Sequence, residues 1–382
     1  MMAHAILSAS GASRWMACPP SARLEQGFEN KTSIYAEEGT LAHELGELSL
    51  RLQLGEITKR QYTTRVNKLI KDNELYSKDM PDYVEIYTDT CMEKVSEAKE
   101  TTPDAVFKVE QKLDFSDWVP EGFGTGDFVI IADGTMEICD LKYGKGVPVS
   151  AVNNTQMRLY ALGAISEFSF LYDIEKVRMT IIQPRLDSIS SDEMSVIELL
   201  NWADEKVKPT AELAFKGEGE FCVGKHCEFC RAIAKCKAQG EYNMELAKYD
   251  FGEPNILDNN DIAFILSRVD NLVKWATKVK DFALDEALKG EEFDGFKVVE
   301  GRSNRKWTDE KAVGNILIEN GFLENIIYTK KLASITNIEK AIGKKETEHL
   351  LGSYIVKPQG KPCLAPITDK REVYNSAKAD FK

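Results

Sequence analysis

The sequence predicts a mixed α/β fold, a small central sheet flanked by helices, followed by a mainly helical α+β extension. Three observations lead there. Through residues 1–244 the elements read from periodicity run helices, strands, helix, strand, helix, an order that builds one mixed sheet with helices packed on it. Asp133-Gly134 between two apolar runs is a hairpin signal. From about residue 245 the strand pattern gives way to a long helical repeat, so 245–382 is expected to form a second domain.

Residues 1–35 read as turn-rich, with LSASGASRWMACPPSARLE at their centre. Leu41, Leu45, Leu48 and Leu52 then repeat at helical spacing, with Thr40 as the expected N-cap. Residues 56–100 continue as helix. Their basic run (Lys59, Arg60, Arg65, Lys68, Lys71) reads as a solvated face. AVFKVEQKLDF is the first strand, the hairpin from Gly124 to Gly144 supplies two more, and VRMTIIQP (Val177 to Pro184) is the fourth. NNTQMRLYALGAISEF is a helix capped by Asn154, and SVIELLNWADEKVKPTAELAFKG is a helix leading into a cysteine cluster. In the extension, Ile262, Ile265, Val269, Leu272, Ala276 and Val279 form a seam on one helix at about 260–289. A strand-like piece, FDGFKVVEGRSNRKW, and a small helical region follow.

The chain has 382 residues, 43% hydrophobic and 29% charged, enough for a real core. No apolar run approaches a membrane span. The opening MMAHAILSAS lacks a charged leader region, so a mature cytoplasmic chain is expected. The net charge of −13 argues against non-specific polyanion binding.

The hairpin poses the chemical question. With Asp133-Gly134 at the tip, Ile131 faces Met136, Val129 faces Ile138 and Asp127 faces Asp140; Lys142 shares the face of Asp140. Opposed residues have Cβ atoms about 4.5–5.5 Å apart, where like charges destabilise. Three things relieve that: solvation of an exposed hairpin, protonation of one carboxyl, or a divalent cation. A hard ion such as Mg²⁺ suits two carboxylates and would polarise a phosphoryl oxygen. Lys142 would then orient water or stabilise the charge that develops on phosphorus.

These residues resemble the PD-(D/E)XK nuclease signature. GTGD ending in Asp127, then Asp140-Leu141-Lys142, is similar to its RecB-type branch. GTLAHE supplies the upstream histidine of that branch, His43, and QMRLY supplies its Q-x-x-x-Y pair, Gln156 and Tyr160. The serine-rich turn and CP dipeptide of LSASGASRWMACPP match as well, so the resemblance covers about residues 5–240. An uncharacterised phage-associated group of RecB-like proteins is the nearest likeness. The resemblance implies a restriction-endonuclease-like core and catalytic roles for Asp127, Asp140, Lys142, His43, Gln156 and Tyr160. His43, Asp127 and Asp140 would hold Mg²⁺ or Mn²⁺. Glu110, in the strand before the hairpin, is a weaker candidate for a supporting ligand, with a solvent-facing glutamate as the equal alternative. His43 lies about 200° round its helix from Leu41, away from the apolar stripe. Gln156 and Tyr160 share a helix face as i and i+4.

Of eight cysteines, four fall between Cys222 and Cys236. Cys227, Cys230 and Cys236 can hold one face of a cluster or metal ion. Cys222 and His226 are local choices for a fourth ligand and would give a Zn²⁺ knuckle. AddB-like and CRISPR-associated RecB-like nucleases imply another answer, a structural [4Fe–4S] staple using Cys18 with Cys227, Cys230 and Cys236. Cys91, Cys139 and Cys363 read as isolated thiols.

The expected partner is DNA, as single- or double-stranded ends, and no membrane. Lys225, Arg231, Lys235 and Lys237 rim the cysteines, offset by Glu228. Arg302, Arg305 and Lys306 beside Trp307 suit single-strand contacts, with a charged turn and packed tryptophan as the plainer reading. The resemblance implies a metal-dependent DNA exonuclease of phage or mobile-element recombination or repair. A recombinase, helicase or single-strand-binding protein is the expected kind of partner, and ATP-driven unwinding would need one, because the sequence has no G-x-x-x-x-G-K-[ST] loop. The alternatives are a non-catalytic nuclease-fold DNA-binding module and a zinc-dependent DNA-binding protein.

Overall fold

Ser33, not Thr40, begins the first long helix: its side chain accepts from the Ala36 N–H, and the helix runs Ile34–Gln53. The Thr40 hydroxyl instead donates to the Ala36 carbonyl inside that helix. Serine outranks the mid-helix threonine because its backbone is extended, as an N-cap requires. The computed structural model describes residues 5–30, 32–247, 257–299, 309–320, 323–328 and 334–355.

The chain divides into two units, Met1–Ala247 and Lys248–Lys382. The first unit begins with α1 (Ala12–Ala17), α2 (Ser21–Leu24), α3 (Ile34–Gln53), α4 (Lys59–Ile70) and α5 (Met80–Thr101). Strands β1 (Val106–Asp114), β2 (Phe123–Ile131) and β3 (Gly134–Leu141) follow, then α6 (Thr155–Phe168), β4 (Ile174–Gln183) and β5 (Ser188–Ser195). The unit closes with α7 (Val196–Trp202), a π turn over Ala203–Val207, α8 (Lys208–Lys216) and α9 (Lys237–Ala247). The π turn sits just before Pro209, where proline removes one helical donor.

The sheet order is β1-β2-β3-β4-β5. All neighbours are antiparallel except β3 and β4, which are parallel and joined through α6. The hairpin register is the expected one: Ile131 opposes Met136 and Val129 opposes Ile138. Gly134 takes the left-handed conformation (φ +73°) that a side chain would resist.

Residue parity divides the core. Phe128, Ile130, Cys139 and Leu141 pack with Leu41, Leu45, Tyr87 and Val95 of α3 and α5. Val129, Ile131, Met136 and Ile138 pack with Met157, Tyr160 and Ala161 of α6. Burying each such large side chain stabilises the fold by about 1.5–3 kcal/mol. A central hairpin covered on both faces therefore needs apolar residues at successive positions, as FVII in β2 provides. The basic residues of α4 stay exposed, and no residue of that helix is buried.

Strand β5 is absent from the sequence reading. Its segment, SISSDEMS, has no apolar alternation to announce a strand.

In the second unit, α10 (Asn259–Leu288) is capped by Asp258 and spans the expected seam. None of its residues is buried. Helices α11 (Glu310–Glu319), α12 (Glu324–Ile327), α13 (Ile335–Ile342) and α14 (Lys344–Leu351) follow. The expected strand near FDGFKVV is not formed: described residues 293–299 contain a turn at Asp294-Gly295 and no strand. Gly295 at φ +80° bends the chain where a strand would have to be straight. Arg302, Arg305, Lys306, Trp307 and Cys363 lie outside the described residues. Among the described residues no helix is long and apolar enough to cross a membrane.

Candidate active site and cysteine centre

The ladder between β2 and β3 ends at Phe128 opposite Cys139. One residue further on, the strands part: β2 stays with β1, and β3 runs on beside β4. Asp127 and Asp140 sit at this fork. The Asp127 Oδ2 accepts the Leu141 N–H at 2.7 Å, replacing a ladder partner that the fork removes. Two glycines of the GTGD motif clear the surrounding space. A Cβ on Gly124 would lie 2.6 Å from Tyr160 Cε1, and one on Gly126 2.9 Å from Leu113 Cδ1.

Three donors from three elements converge there. His43 of α3, Glu110 of β1 and Asp127 of β2 each place one ligand atom within 4.8 Å of the others. His43 Nδ1 lies 3.3 Å from Asp127 Oδ2. Glu110 reaches the site from a left-handed backbone (φ +52°), uncommon for a residue other than glycine. It breaks the β1–β2 ladder for one position without shifting the register. Such strain in a strand fits a side chain aimed for chemistry rather than for pairing.

Asp140 stands outside that trio. Its carboxylate is ion-paired with Lys142 Nζ at 2.7 Å. Lys142 Nζ also donates to Gln156 Oε1 (3.3 Å), and Gln156 Nε2 donates to the Tyr160 hydroxyl (3.0 Å). Asn154 caps α6 by accepting from the Gln156 and Met157 N–H groups, which fixes the helix turn carrying Gln156. Lys142, Gln156 and Tyr160 thus form one chain of contacts ending on Asp140.

The charges are set apart. Burial raises Asp140, with Lys142 opposing and Asp127 adding to the rise. Burial acts on Asp127 too, but His43, Lys142 and the Leu141 N–H outweigh it and hold that carboxyl below its ordinary value. Burial disfavours a charged His43, yet Asp127 and then Asp140 raise the imidazole to about 9. Burial, then Asp127, lifts Glu110 to about 7. Burial also opposes charge on Lys142, and Asp140 and Asp127 more than restore it. The site is one of coupled carboxylates, a cation and an imidazole, with donors suited to a hard or borderline divalent ion.

A profile of the family described as protein of unknown function DUF2800 matches residues 4–372. The chain belongs to the DUF2800 family. One solved structure, described as "Crystal structure of SSO0001", aligns over 58% of this chain and 95% of its own at 13% identity and a TM-score of 0.21.

This DUF2800 chain carries a second cluster. Cys18, at the C-cap of α1, shares one cavity with Cys222, Cys227, Cys230, Cys236 and His226. Burial raises the Cys18 and Cys227 thiols, and the neighbouring cysteines of the group add to the rise. Burial and then Glu25 push Cys230 up to about 12. Thiols so placed keep their protons unless a cation displaces them. His226 turns its Nε2 to the Cys222 carbonyl at 2.9 Å.

Glu25, unmarked in the sequence reading, ties the same two segments. It is buried, accepts from Arg14 Nε (2.7 Å) and from the Arg231 N–H (2.7 Å), and lies 3.8 Å from Arg231 Nε. Arg231, expected to track phosphates, lies beside Glu25 and donates to the Phe28 carbonyl. Lys225 remains exposed, and Lys237 pairs with Glu241 at 3.6 Å.

Proposed function

We propose that this protein is a metal-dependent deoxyribonuclease acting on DNA ends, with an iron–sulfur cluster as a structural staple. The observation that carries the reading is the fork, where His43, Glu110 and Asp127 converge beside the Lys142–Asp140 pair. His43, Glu110 and Asp127 would hold Mg²⁺ or Mn²⁺, with Asp140 across the fork. Such an ion, when bound, polarises the phosphoryl oxygen and lowers the pKa of a bound water.

The side chains supply the rest. Asp140 keeps Lys142 charged, and Gln156 holds its ammonium from the other side. That cation can donate to the attacking water or to the oxygen where charge develops on phosphorus. Tyr160 stays a neutral phenol, raised by burial and by Asp140, so its hydroxyl remains a partner for Gln156. Because Lys142 is pre-positioned by two partners, less orientational entropy is lost at reaction.

The shared cavity of Cys18, Cys227, Cys230 and Cys236 supports a [4Fe–4S] cluster, with Zn²⁺ as the alternative that the same thiol set permits. Joining Cys18 to Cys227, Cys230 and Cys236 would close a long loop, the case in which a cross-link restricts the unfolded chain most. The test of activity is digestion of end-labelled single- and double-stranded DNA with and without Mn²⁺. Metal-dependent release of nucleotides supports the reading. DNA binding without any cleavage supports instead a non-catalytic nuclease-fold module.

A further inference from the structure

The loop between Lys142 and α6 is held from behind and bare in front. Gln183, buried at the end of β4, donates through Nε2 to the Gly144 carbonyl (2.7 Å) and the Val147 carbonyl (3.0 Å). Its Oε1 accepts from the Val149 N–H at 3.0 Å. On β5, Ser190 Oγ accepts from the Ala151 N–H and Asp192 Oδ2 from the Asn153 N–H, each at 3.0 Å. Two of the polar residues that hide β5 from sequence patterning, Ser190 and Asp192, thus hold this loop.

A backbone held so closely has already lost its conformational freedom. Yet Val147 is 59% exposed and Val152 56%, and Lys145 is exposed between Gly144 and Gly146. Such valines add little to folding, since apolar area left in water contributes no burial energy. The loop leaves Lys142 at one end and enters the Gln156 helix turn at the other, and Lys142 Nζ donates to Gln156 Oε1, so both ends of the loop meet at the fork. Rigid apolar side chains beside a basic residue suit insertion at a base step, with phosphate contact from the lysine.

We propose that residues 144–153 form a wedge for the end of a DNA duplex. Val147 and Val152 pack against the terminal base pair, Lys145 meets the backbone, and one parted strand enters the fork. The proposal rests on the nuclease reading and names its substrate: duplex ends.

The test compares full-length protein with the Val147→Ser/Val152→Ser variant on a blunt end-labelled duplex and on the same labelled strand alone, with Mn²⁺. The expected result is that the ratio of duplex to single-strand digestion falls about ten-fold, as loss of two apolar contacts predicts. In the Asp127→Asn background, 2-aminopurine at the terminal pair brightens on binding, and the valine double variant loses that signal. An unchanged ratio with an unchanged fluorescence signal overturns the wedge and leaves the nuclease reading standing. Wild-type protein that digests single strands but not duplex also overturns it. If neither substrate is cut, the nuclease reading fails and the wedge with it.

Discussion

His43 Nδ1 lies 3.3 Å from Asp127 Oδ2, so an imidazole from a helix and a carboxylate from the sheet meet at the mouth of the fork. In metal-free protein this contact raises the imidazole from 6.5 to about 9. A group whose pKa is raised by folding stabilises the fold fully below its unfolded value and loses that contribution as pH rises through the folded one. In chelator, the thermal midpoint is therefore expected to fall between pH 6.5 and about 9, and to fall less in His43→Asn. Metal requires the neutral ring, so Mn²⁺ affinity should rise across the same window, by up to about ten-fold per pH unit. Calorimetry that finds pH-independent affinity there would contradict His43 as a ligand.

Gly124→Ala tests the link between the GTGD motif and the lysine. The new methyl would meet Tyr160 Cε1 at 2.6 Å, and Tyr160 anchors Gln156, which anchors Lys142. Overpacking of this kind costs about 1–3 kcal/mol. Gly163→Ala, on the helix that carries Gln156 and Tyr160, is the control: its methyl would press on Leu113 of β1, including the backbone at 3.1 Å, outside that chain of contacts. Urea melts should show both destabilised, with a disproportionate loss of cleavage in Gly124→Ala.

Glu25 and the cysteines can be separated. Glu25→Ala leaves Arg14 and the Arg231 N–H without their acceptor. A cost of about 2 kcal/mol is expected, less than for a fully buried pair because both arginines keep contact with water. Glu25→Ala should also lower cluster occupancy, since it loosens Cys18 from the Cys227–Cys236 segment.

Anaerobic purification should give roughly four irons per chain. Cys18→Ser should lose them and Cys222→Ser should keep them. The reverse pattern would make Cys222 the fourth ligand, and zinc in place of iron would end the cluster reading.

What was legible in the sequence followed local rules. Asp133-Gly134 fixed the hairpin register, and the Asn154 cap and the Leu41 stripe placed their helices. What was not legible depends on tertiary context. The polar β5 pairs with β4 and is recruited to hold the 144–153 loop, so it has no apolar pattern to read. Glu110 is readable in the sequence only as a weaker ligand beside His43 and Asp127, and the left-handed backbone that aims it at the fork is a feature of the fold. Glu25 finds its second arginine 206 residues away. Its nearness to Arg14 and Arg23 was the one available signal.

The most direct measurement is Mn²⁺-dependent digestion of end-labelled DNA by wild-type protein, Asp127→Asn and Lys142→Ala, each shown to be folded by circular dichroism. Wild-type protein is expected to release nucleotides, and both variants to lose at least about a hundred-fold in rate. Variants that cut at the wild-type rate would contradict the assignment of the fork as a hydrolytic site.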